Sequence, residues 1–291
     1  MTQPDRVWTV QAALDWTRSY LERKEDASPL LSARHLLSYA TGLTRLELYT
    51  HFDQPLSREE RAVLREGVRR RAEGEPLQYI GGRAPFRHLE VKVRPGVLIP
   101  RPETEILVGE VLSFMEGISQ PSVLEIGCGS GCIACSIAVE SPDASVVATD
   151  VSPEAWAVAR ENVDLLGVGE RVEILSCDLD AAVPEDLEGR FDAFVSNPPY
   201  IPNPIMEALS AEVKGFEPRL ALAGGEDGLD MFRRLLPAAR RWLRSGGLFA
   251  VELHEECLDE AASLAEAAGF AEVRIVEDLA GRPRVLCAVL G

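Results

Sequence analysis

The segment Asn197-Pro198-Pro199-Tyr200 has the residue types best suited to hold a planar nitrogen group. Pro198 and Pro199 have a fixed φ and no N–H, so the segment cannot continue a central strand and its carbonyl groups are free to accept hydrogen bonds. The Asn197 side chain adds a second acceptor. Two acceptors beside the Tyr200 ring can hold both hydrogens of an –NH₂ group while the ring stacks on its plane. The alternative is a plain proline turn at the end of a strand.

A glycine-rich turn, Glu125-Ile-Gly-Cys-Gly-Ser-Gly131, lies between a predicted strand and a predicted helix. Its three glycines allow a tight turn whose backbone can touch a ligand, at a helix N-terminus that favours a carboxylate or phosphate. The G-x-G-x-G spacing is one residue short of the dinucleotide fingerprint, which argues against an NAD-dependent dehydrogenase. We therefore predict a different cofactor site, formed by Gly127, Cys128, Gly129, Ser130 and Gly131.

Two acidic residues follow the next two predicted strands. Asp150 ends the second strand, where a carboxylate can accept from both hydroxyls of a ribose. The alternative role for Asp150 is a helix N-cap, but Ser152 can fill that role instead. Asp178 ends the third strand, and Leu179 comes directly after it.

Strands and helices alternate from Glu103 onward, which predicts βα units and a mostly parallel sheet. The strands are predicted at Ser122–Ile126, Ser145–Thr149, Val172–Ser176, Asp192–Ser196, Gly247–Leu253, Glu272–Val276 and Arg284–Leu290. Helices are expected between each of the first five strands, and Leu258–Ala268 after the fifth. The link between the last two strands is too short for a crossover helix, so those strands must pair antiparallel.

Such an α/β sheet of seven strands resembles that of class I S-adenosylmethionine-dependent methyltransferases, in which the first and fourth strands flank the switch point. The glycine turn and Asn197 should then face each other across one crevice.

The N-terminal part of the chain has only helical patterns. Helices are predicted at Val7–Glu22, Ser28–Thr41, Arg45–Tyr49 and Ser57–Glu73, the last of which starts with a capping box formed by Ser57 and Glu60. A β-hairpin is expected next, with one strand at Phe86–Val93 and the other at Val97–Ile99. The predicted organisation is a helical-bundle domain over residues 1–82, a hairpin linker over 83–100 and an α/β domain over 101–291.

The net charge of −17 is unevenly distributed. Residues 1–90 hold 14 Lys and Arg against 13 Asp and Glu, a net charge of +1, whereas the remainder holds 16 against 34, a net charge of −18. The acidic part argues against nucleic acid as a direct ligand, because phosphate binding needs a basic surface. It favours a protein partner or a cationic small molecule. The basic run of Arg65, Arg69, Arg70 and Arg71 is either a solvated helix face or a docking site.

No run of about 18 apolar residues and no signal-peptide pattern occurs, so we expect no membrane association and a cytoplasmic location. The six cysteines include one Cys-x-x-Cys pair, Cys132 and Cys135, inside a predicted helix. Because no second pair accompanies it, we predict buried, reduced thiols and no metal site.

With these motifs in view, the chain resembles the HemK/PrmC family of release factor glutamine methyltransferases. The resemblance runs nearly end to end, and it rests on the glycine turn, the Asn197 segment and three further motifs. These are Pro76-Leu-Gln-Tyr-Ile-Gly81, Ile99-Pro-Arg-Pro-Glu-Thr-Glu105 and Phe216-Glu-Pro-Arg-Leu-Ala-Leu222. The resemblance implies methyl transfer from S-adenosylmethionine to the glutamine amide of the Gly-Gly-Gln loop of peptide release factors. It also implies that the helical domain docks the release factor.

The resemblance adds several residue roles. Asp178 should contact the adenine amine and Leu179 should lie against the ring, although an aromatic residue often stands at the position of Leu179 in the family. Thr104 and Glu105, at the start of a helix, should border the methionine end of the cofactor, and the alternative is a plain helix start. The fifth strand reads Val251-Glu-Leu-His254 where a Glu-Ile-Gly-like pattern is common.

The residues support the same mechanism. An amide nitrogen is a poor nucleophile, and acceptors on Asn197 and Pro198 can aim it at a methyl group and stabilise its developing charge. Tyr200 should pack on the amide plane, which makes Asn197, Pro198 and Tyr200 the predicted catalytic residues and adds Pro199 as a substrate contact. The alternatives are a DNA adenine or cytosine N-methyltransferase, which would need a basic reading segment, and a non-catalytic binding scaffold.

Overall fold

The computed structural model describes residues 7–291, and the chain divides into two compact units. The first unit is the part up to Gly82 together with Ala211–Phe216, and the second is Arg83–Ser210 with Glu217–Gly291. Within the described residues the α-helices are α1 (Val10–Glu22), α2 (Pro29–Thr41), α3 (Glu47–Thr50), α4 (Arg58–Ala72), α5 (Leu77–Gly81), α6 (Thr104–Met115), α7 (Cys132–Glu140), α8 (Pro153–Leu166), α9 (Asn203–Met206), α10 (Ala211–Phe216), α11 (Asp230–Trp242) and α12 (Leu258–Ala267). The strands are β1 (Arg83–Phe86), β2 (Leu89–Lys92), β3 (Ser122–Ile126), β4 (Ser145–Asp150), β5 (Val172–Ser176), β6 (Phe191–Ser196), β7 (Leu243–Glu252), β8 (Phe270–Glu277) and β9 (Pro283–Leu290).

The first unit is helical. Ser57 and Glu60 form the predicted capping box at the start of α4, each side chain bonding the backbone N–H of the other residue. The buried faces of α1, α2 and α4 meet in one core that includes Leu21, Leu37 and Val68. Apolar residues at helical spacing therefore predicted both the helices and their packing.

Helix α10 belongs to this unit although it lies far along the chain. The guanidinium of Arg71 donates to Asp26 at 2.6 Å and to Glu212, on α10, at 2.7 Å. Because Arg71 is nearly buried, its charge is compensated by two carboxylates from distant parts of the sequence.

The second unit contains a seven-stranded sheet in the order β5-β4-β3-β6-β7-β9-β8. The first five strands in this order are parallel, and β9 pairs antiparallel with both β7 and β8. This sheet confirms the predicted class I methyltransferase fold. Strand β6 is buried along its whole length, as a central parallel strand should be. Its Phe194 packs with Phe249 of β7 and, through it, with Phe232 of α11.

The hairpin was predicted at the wrong residues. A two-stranded sheet does form, but it pairs β1 with β2 and turns at Arg87 and His88, inside the stretch expected to be one strand. Arg87 adopts a left-handed φ of 50°, a conformation that turns usually assign to Gly or Asn. The turn therefore carried no sequence signal, and residues 97–99 form no strand.

The helix expected between β5 and β6 is also absent from the structure. Residues 177–190 contain only a short 3₁₀ turn, Glu185–Leu187. Leu179 has a left-handed φ of 55°, and Pro184 removes a backbone donor, so neither residue supports a continuous helix.

Candidate active site

The site lies at the carboxyl ends of β3 and β6, which are adjacent and parallel, with Ile126 opposite Ser196. The chain leaves β3 into the glycine turn and leaves β6 into Asn197, so both segments begin at the same edge of the sheet. One pocket brings together most of the predicted site residues. Those that line it are Thr104, Gly127, Cys128, Gly129, Ser130, Asp150, Asp178, Leu179, Asn197 and Pro199.

Three predicted residues do not line this pocket: Gly131, Pro198 and Tyr200. Gly131 is the N-cap of α7 with a φ of 75°, and a Cβ at this position would lie 3.2 Å from the Cβ of Ala159. Its glycine is therefore required for helix packing. Pro198 is buried, and Tyr200 is partly buried against the core of the sheet.

The glycine turn is fixed to β4 by backbone hydrogen bonds. Gly127 and Cys128 both donate their N–H groups to the Thr149 carbonyl, at 2.8 and 2.9 Å. The next free N–H, that of Gly129, donates to Asp150 Oδ2 at 2.8 Å. These three hydrogen bonds to β4 fix the backbone conformation of the glycine turn.

Asp150 is not the cap of the following helix. Ser152 fills that role, because its hydroxyl accepts from the N–H of Ala155, while Asp150 Oδ1 accepts from the N–H of Ser152 at 2.8 Å. Burial raises the pKa of Asp150, and its backbone donors partly oppose this effect. Each carboxylate oxygen still has a lone pair that can accept a ligand hydroxyl.

Asp178 and Leu179 form another part of the pocket wall. Asp178 pairs with Arg234 at 2.8 Å, but both side chains are about half exposed, so this pair contributes little stability. The carbonyl of Leu179 accepts from the Thr149 hydroxyl at 2.7 Å. That bond holds the left-handed backbone of Leu179 in place.

Asn197 is oriented by Thr104. The amide nitrogen Nδ2 of Asn197 donates to Thr104 Oγ1 at 3.0 Å, and Thr104 is buried at the start of α6. Because the nitrogen end of the amide is bound to Thr104, the carbonyl end, Oδ1, is the acceptor left for a ligand. The predicted mechanism needs this orientation of the Asn197 amide, with its oxygen available to accept a hydrogen bond from the substrate nitrogen.

Tyr200 is anchored through its hydroxyl, which donates to Glu252 Oε1 at 2.9 Å. Burial and the nearby carboxyl raise the pKa of Tyr200 well above its usual value, so the phenol stays protonated. Stacking of the Tyr200 ring on a substrate amide stays a prediction. Glu252 was not among the predicted site residues, although its place at the end of the fifth sheet strand was a usable signal.

A second glycine-rich segment, Gly224-Gly225-Glu-Asp-Gly228, packs against the backbone of Tyr200 and was also missed. A Cβ on Gly224 would lie 2.7 Å from backbone atoms of Tyr200, and one on Gly228 would lie 2.6 Å from the Tyr200 carbonyl oxygen. The Ile201 carbonyl accepts from the N–H of Gly224 at 2.9 Å, and the Ile201 N–H donates to the Leu222 carbonyl just before the segment. The segment therefore fixes the backbone that follows the two prolines.

Glu217 joins two of the sequence motifs. Its buried carboxylate accepts from the N–H of Ile99 and from the guanidinium of Arg101. Arg101 and Pro218 both line the pocket. This ion pair holds two walls of the pocket together.

The cysteines near the pocket are neutral thiols. Burial raises the pKa of Cys132 to about 12 and that of Cys128 well above its usual value. No group of His, Cys, Asp or Glu side chains in residues 7–291 is arranged to hold a metal ion. No helix in the same residues is long and apolar enough to cross a bilayer.

The sheet order, the glycine turn and the acidic residues at the carboxyl ends of β4 and β5 define a class I S-adenosylmethionine-dependent methyltransferase. Two family models match the chain, "PrmC N-terminal domain" at residues 12–82 and "Methyltransferase small domain" at residues 104–208. A solved methyltransferase from Pyrococcus furiosus has the same fold, with a TM-score of 0.50 and 21% identity over 70% of this chain and 89% of that one.

Curated relatives define the family more closely. The release factor glutamine methyltransferase of Geobacter sulfurreducens is 43% identical over the full length of both chains. That of Rhodopirellula baltica is 40% identical over 98% of this chain and 97% of its own. The chain belongs to the release factor glutamine methyltransferase family.

Proposed function

We propose that this protein transfers the methyl group of S-adenosylmethionine to the side-chain amide nitrogen, N5, of the glutamine in the Gly-Gly-Gln loop of peptide chain release factors. The observation that carries the proposal is the orientation of Asn197. Thr104 binds the amide nitrogen of Asn197 and leaves its oxygen as an acceptor in the pocket that the glycine turn also lines. This proposed reaction would take place in the cytoplasm, where release factors act.

The residues around the pocket suit S-adenosylmethionine in one orientation, with its methionine part at the glycine turn and its adenine at Asp178 and Leu179. The glycine turn precedes α7, whose N-terminal N–H groups favour the carboxylate of the methionine part. Asp150 can accept from the ribose hydroxyls, and Asp178 with Leu179 would border the adenine. Thr104 and Asn197 then lie at the end where the methyl group is transferred.

S-adenosylmethionine held by these residues would supply the methyl group. The transfer would form one N–C bond to the glutamine nitrogen and break one S–C bond, whose electron pair would stay on sulfur in the departing S-adenosylhomocysteine. Asn197 Oδ1 would accept one N–H group in the pocket, and the carbonyl of Pro198, a residue that does not itself line the pocket, would accept the other. Together they would aim the nitrogen lone pair at the methyl group. The same acceptors stabilise the positive charge that develops on nitrogen, and the surplus proton leaves after transfer.

The helical unit supplies the docking surface in this proposal, but the arginine run is a poor candidate for it. Arg69 pairs with Glu66 and Glu73, and Arg70 pairs with Glu75. Since Arg71 is also paired, three of the four arginines are neutralised within their own unit. Exposed apolar side chains at Leu31, Leu46, Tyr49 and Phe52 offer a better surface for a protein partner.

Mass spectrometry tests the proposal directly. A release factor incubated with this protein and S-adenosylmethionine should gain 14 Da, about the mass of one CH₂, on the peptide that contains Gly-Gly-Gln. A release factor whose glutamine is replaced by alanine should gain nothing. Methylation of a DNA duplex with no methylation of the release factor would refute the proposal, and the acidic second unit argues against that result.

A further inference from the structure

We propose that Glu252 is a positioning residue for methyl transfer: its buried carboxylate sets the direction of a hydrogen-bond chain that turns the Asn197 oxygen toward the substrate. The inference rests on the proposed function and extends it to a residue outside the pocket lining.

Glu252 lies between Asn197 and Tyr200, the first and last residues of the segment Asn197–Tyr200. It ends β7, next to β6, and its side chain is fully buried. Oε1 accepts from the Tyr200 hydroxyl at 2.9 Å, while Oε2 has no hydrogen-bond partner among the described residues. The Thr104 side chain lowers the pKa of Glu252, and its hydroxyl is a donor available to the open Oε2. Glu252 is thus linked to Tyr200 on one side and, through Thr104, to Asn197 on the other.

The direction of this chain follows from the donors and acceptors available. A carboxylate only accepts, so the single hydrogen of the Thr104 hydroxyl turns toward Glu252. The Thr104 oxygen can then only accept from Asn197, which it does through Nδ2 at 3.0 Å. An amide bound by its nitrogen presents its oxygen on the opposite side. The negative charge of Glu252 therefore selects one of the two flipped states of the Asn197 amide.

Protonation of Glu252 should remove this selection. A protonated carboxyl can donate to Thr104, whose own hydrogen is then free to bind the Asn197 oxygen. Burial raises the pKa of Glu252, and the neighbouring Glu103 carboxylate acts in the same direction. The Thr104 and Tyr200 hydroxyls and the Arg284 guanidinium oppose this shift, and the neutral Cys132 thiol is also close to Glu252. Activity should therefore fall as pH decreases through this raised pKa.

The first test compares wild type with Glu252→Gln, which keeps the shape and removes the charge. On a Gly-Gly-Gln peptide, kcat should fall at least about tenfold. The dissociation constant for S-adenosylmethionine should stay within about threefold, a shift of ~0.7 kcal/mol, because no atom of Glu252 lines the pocket. The acidic limb of the wild-type pH profile should be absent from Glu252→Gln. Asp192→Asn is the matched control, since Asp192 is a buried carboxylate of the same sheet that binds Ser122 and Arg244 instead.

A second readout does not need methylation at all. The chain contains three asparagines, Asn162, Asn197 and Asn203, so ¹⁵N-asparagine labelling gives three side-chain amide signals that the Asn197→Asp variant can assign. In wild type the Asn197 amide hydrogens should exchange slowly and their shifts should titrate with Glu252. In Glu252→Gln the exchange should be faster and the titration absent.

The two readouts separate the inference from the function on which it rests. A wild-type protein that methylates no glutamine refutes the proposed function, while the amide signals still test the role of Glu252. Three outcomes would each overturn the inference. They are a kcat of Glu252→Gln equal to that of wild type, a pH profile of Glu252→Gln that keeps its acidic limb, and Asn197 amide signals that do not change with the substitution. An equal loss of kcat in Asp192→Asn would also overturn it, since the loss would then come from general destabilisation.

Discussion

Within residues 7–291 the side chain of Asn197 makes one hydrogen bond, to Thr104, so its removal should change turnover and little else. Asn197→Ala deletes the oriented acceptor and leaves the glycine turn and Asp150 intact. Loss of one preorganised hydrogen bond at a reacting centre typically costs about 10²–10³-fold in rate, and we expect a fall of that size in kcat.

Asp150→Asn should instead weaken cofactor binding. Its dissociation constant for S-adenosylmethionine should increase about tenfold or more. Its carboxylate already accepts from Gly129 and Ser152, and an amide has only one accepting oxygen. Calorimetry and single-turnover methylation of both variants check the contrast. Near wild-type turnover in a folded Asn197→Ala protein would remove the amide-orienting mechanism.

Glu125 gives a prediction about stability and pH. It is fully buried, neither carboxylate oxygen has a full hydrogen bond in the described residues, and burial, aided by the charge of Asp150, raises its pKa to about 8. The folded protein therefore binds this proton more tightly than the unfolded chain does. The resulting stability is fully present below about pH 4.5 and is lost as pH rises through about 8.

Glu125→Gln is neutral at every pH and should abolish this part of the pH dependence. The variant should match wild type near pH 4.5 and be more stable than wild type above pH 8, by a few kcal/mol at ~1.4 kcal/mol per pKa unit. Urea unfolding at several pH values measures the difference. A difference that does not change between pH 5 and 9 would show that Glu125 does not titrate in this range.

At the scale of elements, the segment Gly224–Gly228 packs against the backbone of Tyr200, the last residue of the Asn197–Tyr200 segment. Gly228 has a φ of 81°, and a Cβ there would lie 2.6 Å from the Tyr200 carbonyl oxygen and 2.9 Å from Cys257 Sγ. Gly228→Ala should therefore displace Tyr200 and lower both stability and kcat. Gly189→Ala is the control, because Gly189 has a similar φ of 67° but open space around it.

The control should show the backbone strain alone, about 1–2 kcal/mol, with unchanged kcat. Gly228→Ala should lose more stability and at least about tenfold in kcat, ~1.4 kcal/mol in the barrier. Thermal unfolding and peptide methylation measure the two effects. Equal behaviour of the two variants would mean that the glycine segment does not position Tyr200.

The sequence predicted those elements whose signal is periodic. All seven strands of the large sheet were expected near their observed places, because their apolar runs lie between clear turn signals. The hairpin turn at Arg87 and the missing helix after β5 were not foreseen, because a left-handed Arg or Leu has no local signature. In the site, most of the residues predicted from motifs line one pocket, and their roles stay predictions. The contacts of Glu252 and Glu217 were not foreseen, because their partners lie about 50 and 118 residues away along the chain.

At the scale of the whole molecule, the two units differ in charge, with the acidic residues concentrated in the second part of the chain. An acidic surface suits a sulfonium cofactor and draws it by long-range attraction. We therefore expect the dissociation constant for S-adenosylmethionine to rise with increasing salt. The helical unit should add contacts that a short peptide cannot use.

The exposed apolar side chains of the helical unit allow a test of that docking role. Leu46 is 73% exposed and Phe52 is 53% exposed, so replacing both with Asp should leave the fold intact. If this surface binds the release factor, kcat/KM on the intact protein should fall at least about tenfold, ~1.4 kcal/mol, because only the large substrate uses remote binding energy. Activity on a short Gly-Gly-Gln peptide should not change. Leu279→Asp is the matched control, since Leu279 is a fully exposed apolar residue of the other unit. Equal losses on protein and peptide, or no loss on either, would rule out this face as the docking surface.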